Sequence, residues 1–207
     1  VSGIFIDRAG EKMVATRRGN KLAEVLPHDA VGLVADVDVV MADNRFPEFV
    51  RPILEAARSR GIPAVLDGDR ATAPDDVLFR IASHVIFSAE ALRATTGMDD
   101  LGAALGVLMA TGFLAVTNGP DDVLWLEGDC VRRMSAFAVD AVDTLGAGDT
   151  FHGGFALALA EGRDPIAAMR FGAAAAALKC TRFGGSSGSP SRAEVETRLA
   201  AHKMDLI

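Results

Sequence analysis

The chain has 207 residues, of which 50% are hydrophobic and 24% charged, a balance that is ordinary for one large globular domain with a sizeable core. Its formal net charge of −7 argues against a nucleic-acid partner or an anionic membrane, because both attract basic surfaces. Any anionic ligand must therefore be held by local groups.

The two cysteines, Cys130 and Cys180, lie far apart and lack the CxxC or CxxH spacing of a zinc site. This pattern favours a protein of the reducing cytoplasm in which both thiols behave as small buried hydrophobic groups. No apolar run approaches the ~20 residues that a bilayer requires, and no stretch has the basic, apolar and small-residue order of a signal peptide. We therefore expect a cytoplasmic protein without a membrane partner.

The start of the chain predicts a β-hairpin. Residues 2–7 and 12–16 have strand composition, and the intervening Arg-Ala-Gly-Glu at 8–11 suits a turn. A hairpin with open edges is stable when its unpaired amide groups are covered or paired. We therefore expect residues 1–20 to pair two subunits.

From residue 37 onward, short strands alternate with helices. The pattern predicts strands at 37–41, 63–66, 84–87 and 113–117, and helices at 47–60, 75–81, 88–96 and 101–110. A hairpin of 123–126 and 131–137 follows, and the last helices are predicted at 151–161, 166–179 and 191–199, the last with Ser191 as its N-cap. This alternation indicates a largely parallel sheet that is covered on both faces.

Polar residues follow the predicted strands, where parallel sheets bind their ligands. These residues are Asn44-Arg45, Asp67-Gly68-Asp69, Ser88 and Thr117-Asn118-Gly119. We expect them to gather at one rim of the sheet, together with the loop at 143–150. Asp67 and Asp69 suit a hydrated Mg²⁺ ion, which prefers carboxylate oxygens, or they cap the helix that follows.

The loop at 143–150, Asp-Thr-Leu-Gly-Ala-Gly-Asp-Thr, follows an apolar, strand-like run that ends at Val142. Gly146 and Gly148 flank a small residue, so consecutive N–H groups can come close to a ligand. Together with the positive end of the following helix dipole, these groups favour binding of a phosphate oxygen and so form an anion seat. The alternative is that Gly-Ala-Gly only starts a helix.

Asp149 places a carboxylate beside this anion seat. It suits a base that takes the proton from an acceptor hydroxyl while the loop amides stabilise a transferring phosphoryl group. The alternative is that Asp149 caps the helix.

The run from Ala141 to Phe155, Ala-Val-Asp-Thr-Leu-Gly-Ala-Gly-Asp-Thr-Phe-His-Gly-Gly-Phe, resembles the C-terminal signature of the ribokinase (PfkB) family of sugar kinases. The likeness extends over nearly the whole chain and is greatest for the branch of 6-deoxy-6-sulfofructose kinases. Family members also carry an earlier segment with a Gly-Gly motif and substrate-binding residues. This sequence lacks that segment, so we expect the chain to represent the later part of an enzyme.

The resemblance implies an α/β fold, a ribokinase-like three-layer sandwich with a mainly parallel central sheet, plus the remnant of a β lid. It divides the chain into partial lid strands at 1–20 and an α/β kinase core with the ATP site at 21–207. The lids of relatives often associate, which again implies a homodimer through the lid.

The resemblance also implies a catalytic site and ATP and Mg²⁺ as cofactors. Asp149 matches the catalytic base, and the anion hole matches the amides of Gly146, Ala147 and Gly148. The resemblance further implies that the nucleotide is bordered by Thr117, Asn118 and Gly119, and by Ala177, Cys180 and Gly184 of the alanine-rich helix and its exit loop. A plain turn at 117–119 and close core packing of the alanines are the alternatives.

Two metal sites are implied less directly. The Asn-x-x-Glu motif that the family ties to Mg²⁺ is replaced by Ser88-Ala89-Glu90-Ala91. Glu90 is the carboxylate of this segment, and with Asp69 it is implied as a residue near Mg²⁺. Asp143 and residues 184–187 correspond to the region that binds a monovalent cation such as K⁺ in many members. The alternative for Asp143 is a solvated carboxylate.

The sulfofructose branch implies a role for Arg45, since the matching arginine there contacts the sulfonate. A planar guanidinium offers paired donors to such an oxyanion. The branch has an asparagine where Thr16 stands here, and Thr16 is implied as a substrate residue. The alternative is a surface Arg45 paired with Asp43 or Glu48.

The function implied is ATP-dependent phosphorylation of a primary hydroxyl of a sugar or sugar derivative, such as fructose or sulfofructose. A nucleoside kinase of the same family is one alternative. A catalytically silent sensor that binds a sugar or nucleotide is the other, and the missing Asn-x-x-Glu motif favours it whereas Asp149 argues against it.

Overall fold

The computed structural model describes residues 2–6, 12–16 and 25–202, which form two compact units. One unit, the helical unit, contains the first two strands and the described residues from Ala136 onward. The other, the sheet unit, contains the described residues from 25 to Ser135. The predicted boundary between lid and core at residues 20 and 21 stays a prediction.

The predicted N-terminal hairpin is confirmed. Strands β1 (Ser2–Ile6) and β2 (Lys12–Thr16) pair antiparallel, with Ser2 opposite Thr16. The predicted turn at 8–11 lies outside the described residues. Phe5 and Met13 are 65% and 69% exposed, so apolar side chains of this hairpin face solvent.

The sheet unit is built on six strands. They lie side by side in chain order as β3 (Val40–Asp43), β4 (Ala64–Gly68), β5 (His84–Ser88), β6 (Phe113–Thr117), β7 (Val123–Glu127) and β8 (Cys130–Met134). Strands β3 to β6 are parallel, and the β6–β7 and β7–β8 pairs are antiparallel. The sheet is therefore mainly parallel, as predicted.

Five helices accompany this sheet: α1 (Ala30–Leu33), α2 (Pro47–Ser59), α3 (Val77–Ile81), α4 (Ala89–Thr96) and α5 (Leu101–Gly106). Leu66 and Val85 share a fully buried core with helix residues such as Leu54. Val65 and Ile86 point to the opposite face of the sheet and are also fully buried. Burial on both faces is typical of a parallel sheet within a layered α/β fold.

The helical unit contains α6 (Ala147–Ala160), α7 (Pro165–Cys180), a 3₁₀ turn (Gly185–Gly188) and α8 (Arg192–Ala201). Helix α8 begins as predicted, because Ser191 caps it and Glu194 completes a capping box. In the described part of the chain, no helix is both long and apolar enough to cross a bilayer.

Two sequence predictions near the central loop are wrong. The run that ends at Val142 forms no strand; the N–H groups of Val142 and Asp143 instead donate to the Cys180 carbonyl at the end of α7, over 2.8 and 3.2 Å. Helix α6 begins at Ala147 rather than Phe151, because Gly146 supplies the left-handed turn before it. The Gly-Ala-Gly segment is therefore part of the helix start.

The prediction that both thiols are buried is also wrong. Cys130 is exposed at the start of β8, whose residues are mostly exposed, and Cys180 is half-buried at the end of α7. Neither forms a disulfide in the described part of the chain.

Helices α6 and α7 pack closely through small residues. A Cβ atom built on Gly172 would lie 2.6 Å from the Phe151 carbonyl oxygen, and one on Gly154 would lie 3.2 Å from the Gly172 Cα. The small residues of α7 therefore let the two backbones approach, which is the packing role predicted as one alternative.

We expect Gly172→Ala to lower the free energy of unfolding by about 1–3 kcal/mol, because the added methyl group overpacks the contact with α6. Gly153→Ala is the matched control, since its Cβ would meet no described heavy atom within 4 Å. The control should gain up to about 1 kcal/mol from helix propensity. Urea unfolding measures both, and a Gly172→Ala variant as stable as the wild type would contradict this interpretation.

Candidate functional site

The first turn of α6 presents unpaired backbone N–H groups. Gly146 caps the helix with φ +76°, and its carbonyl accepts from the Thr150 N–H over 2.9 Å. The Ala147 N–H donates to the Thr144 carbonyl (3.1 Å), whereas the N–H groups of Gly148 and Asp149 have no acceptor within the described residues. Of the amides predicted for the anion hole, Ala147 is thus already engaged, and Asp149 adds a donor that the sequence did not indicate.

The Asp149 carboxylate is exposed and lines a cleft of about 580 Å³ within the helical unit. This volume lies in the range of small-molecule sites. The other walls include residues of α7, the 3₁₀ turn and the segment after it, among them Phe171, Ala175, Gly185, Ser186 and Ser189. The base predicted from the sequence therefore faces a ligand-sized space beside the helix start.

Asp143 organises the loop that leads into α6. Its carboxylate is fully buried and accepts from the N–H groups of Leu145 (2.8 Å), Gly184 (3.0 Å) and Gly185 (3.2 Å). Burial alone would raise the pKa of Asp143, but these hydrogen bonds and the charge of Lys179 lower it to about 2. The alternative of a solvated carboxylate is therefore wrong.

Lys179 is the main residue of this unit that the sequence reasoning missed. It is fully buried near the end of α7, and its Nζ donates to the Asp143 carbonyl (2.6 Å) and lies 3.4 Å from the Asp143 carboxylate. A signal was present, because a single lysine interrupts an otherwise apolar, alanine-rich run. Buried lysines need a partner, and Asp143 is that partner.

The nucleotide-contacting residues predicted around α7 have other contacts in the structure. Ala177 is buried, the Cys180 carbonyl holds the Asp143 loop, and Gly184 binds the Asp143 carboxylate. None of these three lines the 580 Å³ cleft. Their contact with a nucleotide stays a prediction. For Thr16, the last residue of β2, only the backbone is described, and its role as a substrate residue also stays a prediction.

The rim predicted from the sequence is present in the sheet unit. Strands β3 to β6 are parallel neighbours, so the segments that follow them share one edge of the sheet. Arg45, Asp69, Ser88 and Thr117 lie at or just beyond these strand ends. The Gly-Ala-Gly-Asp loop belongs to the helical unit, and its predicted place at this rim stays a prediction.

Arg45 is bound by carboxylates of its own chain. Its Nε lies 3.1 Å from Asp69 Oδ2 and 3.5 Å from Asp43 Oδ2, and a second guanidinium nitrogen also contacts Asp69. The hydrogen bond with Asp69 raises the pKa of Arg45 above its ordinary value. The sequence indicated Asp43 as a partner but not Asp69. An anionic ligand would have to compete with both.

Two buried oxygens beside Arg45 lack a hydrogen-bond partner in the described part of the chain, namely Asn44 Oδ1 and Asp69 Oδ1. Asn44 is held through its amide nitrogen, which donates to the Arg70 carbonyl over 2.8 Å. Unpaired buried acceptors suit a donor from outside the chain, such as a ligand hydroxyl or metal-bound water. These two oxygens suit contact with Mg²⁺ through its bound water better than direct coordination of the ion, because Arg45 already engages the other Asp69 oxygen.

Glu90 lies exposed in the first turn of α4, where Ser88 caps the helix by accepting from the Ala91 N–H (3.2 Å). Across residues 2–6, 12–16 and 25–202, no three His, Cys, Asp or Glu side chains form a group that could hold a metal ion. The roles of Glu90 and Asp69 near Mg²⁺ therefore stay predictions.

The segment after β6 is a tight turn. Thr117 Oγ1 donates to the Phe87 carbonyl (3.3 Å), Asn118 Nδ2 donates to Asp121 Oδ2 (3.1 Å), and Gly119 has φ +58°. These contacts agree with the plain-turn alternative and leave nucleotide contact by Thr117, Asn118 and Gly119 a prediction.

Sequence comparison identifies relatives over most of the chain. The profile of a family described as pfkB family carbohydrate kinase matches residues 3–192. Ribokinase of Bacillus subtilis is 32% identical over 173 residues, which are 83% of this chain and 58% of that protein. The chain thus spans less than two thirds of the length of this relative.

Solved structures share the fold. A candidate ribokinase from Agrobacterium tumefaciens is 41% identical with a TM-score of 0.88, and the match covers 97% of this chain and 67% of that one. Ribokinase of Arabidopsis thaliana, complexed with ribose and ATP, has a TM-score of 0.80 at 24% identity, with 96% and 68% covered, a likeness of fold alone. The predicted ribokinase-like α/β fold is confirmed. These similarities point to ribokinases and do not specifically support the predicted membership of the sulfofructose kinase branch.

Proposed function

Because the chain belongs to the pfkB family of carbohydrate kinases, we propose that its protein transfers the γ-phosphoryl group of ATP to a primary hydroxyl of a sugar or sugar derivative. The observation that carries this proposal is the start of α6. There the N–H groups of Gly148 and Asp149, which have no acceptor among the described residues, adjoin the Asp149 carboxylate at a ligand-sized cleft. Phosphoryl transfer to a hydroxyl needs this pairing of an anion seat with a base.

In this proposal Asp149 accepts the proton of the sugar hydroxyl, and the N–H groups at the helix start stabilise charge on the transferring group. Mg²⁺, when bound with ATP, neutralises phosphate charge. Asp69, whose Oδ1 has no partner in the part of the chain that the structure describes, and Glu90 would accept hydrogen bonds from the water shell of that ion. Thr117, Asn118, Gly119, Ala177, Cys180 and Gly184 would border the nucleotide, as the family resemblance implies.

The contacts of Arg45 favour a neutral sugar. Its guanidinium engages Asp69 and Asp43, so a sulfonate would have to compete with carboxylates that are already in place. A neutral ketose or a pentose meets no such competition. We also propose that the β1–β2 lid, with Thr16, covers the sugar and pairs two subunits, which the exposed Phe5 and Met13 support.

A coupled assay of ATP turnover on the full-length protein tests the function, with ribose, fructose, 6-deoxy-6-sulfofructose and adenosine as acceptors. Turnover with a sugar supports the proposal. Turnover with adenosine alone would replace it by a nucleoside kinase, and ATP binding without any turnover would indicate a sensor.

We expect Arg45→Ala to change KM for neutral and anionic sugars by similar, small factors, because Arg45 is paired within the chain. The matched control is Arg51→Ala, which removes another half-exposed arginine, paired with Glu55 over 3.2 Å. Steady-state kinetics with fructose and 6-deoxy-6-sulfofructose measure both. A rise in KM of about tenfold or more for the sulfonated sugar alone, equal to ~1.4 kcal/mol, would assign Arg45 to an anionic substrate after all.

A further inference from the structure

We propose that the ammonium group of Lys179 occupies the place of a monovalent cation, so that this protein builds its loop at Asp143 without K⁺. The inference concerns the loop that leads into the proposed kinase site, but its first test does not depend on turnover.

The position of Lys179 Nζ carries the inference. It lies 2.6 Å from the Asp143 carbonyl oxygen and 3.4 Å from the Asp143 carboxylate, with both side chains fully buried. A carbonyl and a carboxylate oxygen facing one point are ligands that alkali cations use. An ammonium group has the same charge and donates hydrogen bonds to the same atoms, so either ion fits this point but not both.

Two carbonyl oxygens of the segments that contact Asp143, those of Gly184 and Cys180, are already engaged. The Gly184 carbonyl accepts from both the N–H and the hydroxyl of Ser187, over 3.2 and 2.7 Å. The Cys180 carbonyl accepts from the N–H groups of Val142 and Asp143. Since these carbonyls accept hydrogen bonds within the chain, they form no open set of oxygen ligands.

Charge balance leads to the same result. The single negative charge of Asp143 is matched by the single positive charge of Lys179 at a fully buried pair. A second monovalent cation beside them would be a buried charge without a counter-ion, next to another cation. The residues present therefore do not fit a monovalent cation.

The consequence is a loop that is fixed by the chain alone. Through Asp143, Lys179 holds the segment before α6 to the N–H groups of Gly184 and Gly185. Lys179 is thus a positioning residue for the start of α6, where the proposed anion seat lies.

The first test measures thermal unfolding of the full-length wild-type protein in chloride salts of K⁺ and tetramethylammonium at equal ionic strength. We expect equal midpoints, and equal kcat values where turnover is present. An ion at about 100 times its Kd would favour the folded state roughly 100-fold. A K⁺-specific rise of the midpoint that saturates with concentration would therefore overturn the proposal, even if the protein lacks kinase activity.

The second test uses Lys179→Ala, which leaves the Asp143 carboxylate beside a space of ammonium size. We expect its midpoint to fall in tetramethylammonium and to recover partly in K⁺ or NH₄⁺. Lys179→Met is the matched control, since it fills the space without a charge and should show the loss without the recovery. Equal midpoints of Lys179→Ala in all three salts would leave Lys179 a packing role only and reject the proposal. If Lys179→Ala fails to fold, the wild-type comparison decides.

Discussion

Asp149→Asn is expected to lower kcat by about 10²–10⁴-fold while the fold and ATP binding persist. The carboxylate is exposed in the first turn of α6, so an amide of the same shape disturbs no packing. It cannot accept the proton of the sugar hydroxyl, which is the step proposed for Asp149. Steady-state kinetics and ATP titration of the full-length protein measure the two effects separately.

Gly148→Ala tests the anion seat beside Asp149. An added Cβ would meet no described heavy atom within 4 Å, so loss of turnover in this variant would come from the ligand rather than from the fold. Gly106→Ala, at the end of α5, is the matched control with equally open surroundings.

If Asp149→Asn loses less than about tenfold in kcat with binding intact, Asp149 is not the base.

Asp143→Asn is expected to lower the free energy of unfolding by about 3–5 kcal/mol, because it leaves the Lys179 ammonium buried without a counter-charge. Denaturant unfolding at neutral pH measures this loss. Asp140→Asn is the matched control, since Asp140 is exposed three positions earlier and should change stability by no more than about 0.5 kcal/mol. Equal losses in the two variants would contradict a stabilising ion pair.

The stabilising effect of Asp143 should depend on pH in a defined direction. Its pKa is about 2 in the folded protein and 3.8 ordinarily, despite a burial that acts to raise it, because backbone hydrogen bonds and Lys179 favour the carboxylate. A lowered pKa stabilises the folded state at pH values above the ordinary pKa of 3.8, and this contribution is lost as the pH falls toward 2. The stability difference between wild type and Asp143→Asn should therefore shrink between about pH 4 and pH 2.

Much of the fold follows from local sequence patterns. The alternation of apolar strands and amphipathic helices predicted β3 to β6 and their parallel order, and the end of β6 at Thr117 agrees to the residue. Ser191 and Glu194 predicted the start of α8, because a capping box depends only on residues within one turn. The Gly-Ala-Gly-Asp signature likewise identified a helix start that carries an acid.

Other features depended on residues distant in sequence. Whether Val142 pairs in a strand was decided by the Cys180 carbonyl, which tertiary packing brings to its N–H group. Arg45 follows β3 and Asp69 follows β4, so their contact exists only because those strands are parallel neighbours.

The sequence by itself identified the segment with Gly146, Gly148 and Asp149, since backbone turn, amide groups and carboxylate all arise within a few consecutive residues, although it placed the first helical residue at Phe151 rather than Ala147. Only the tertiary structure decided that Lys179 meets Asp143, because an ion pair between residues 36 positions apart requires the end of α7 to fold back onto the loop before α6. Local patterns record backbone conformation, whereas the pairing of buried charges depends on which elements pack together.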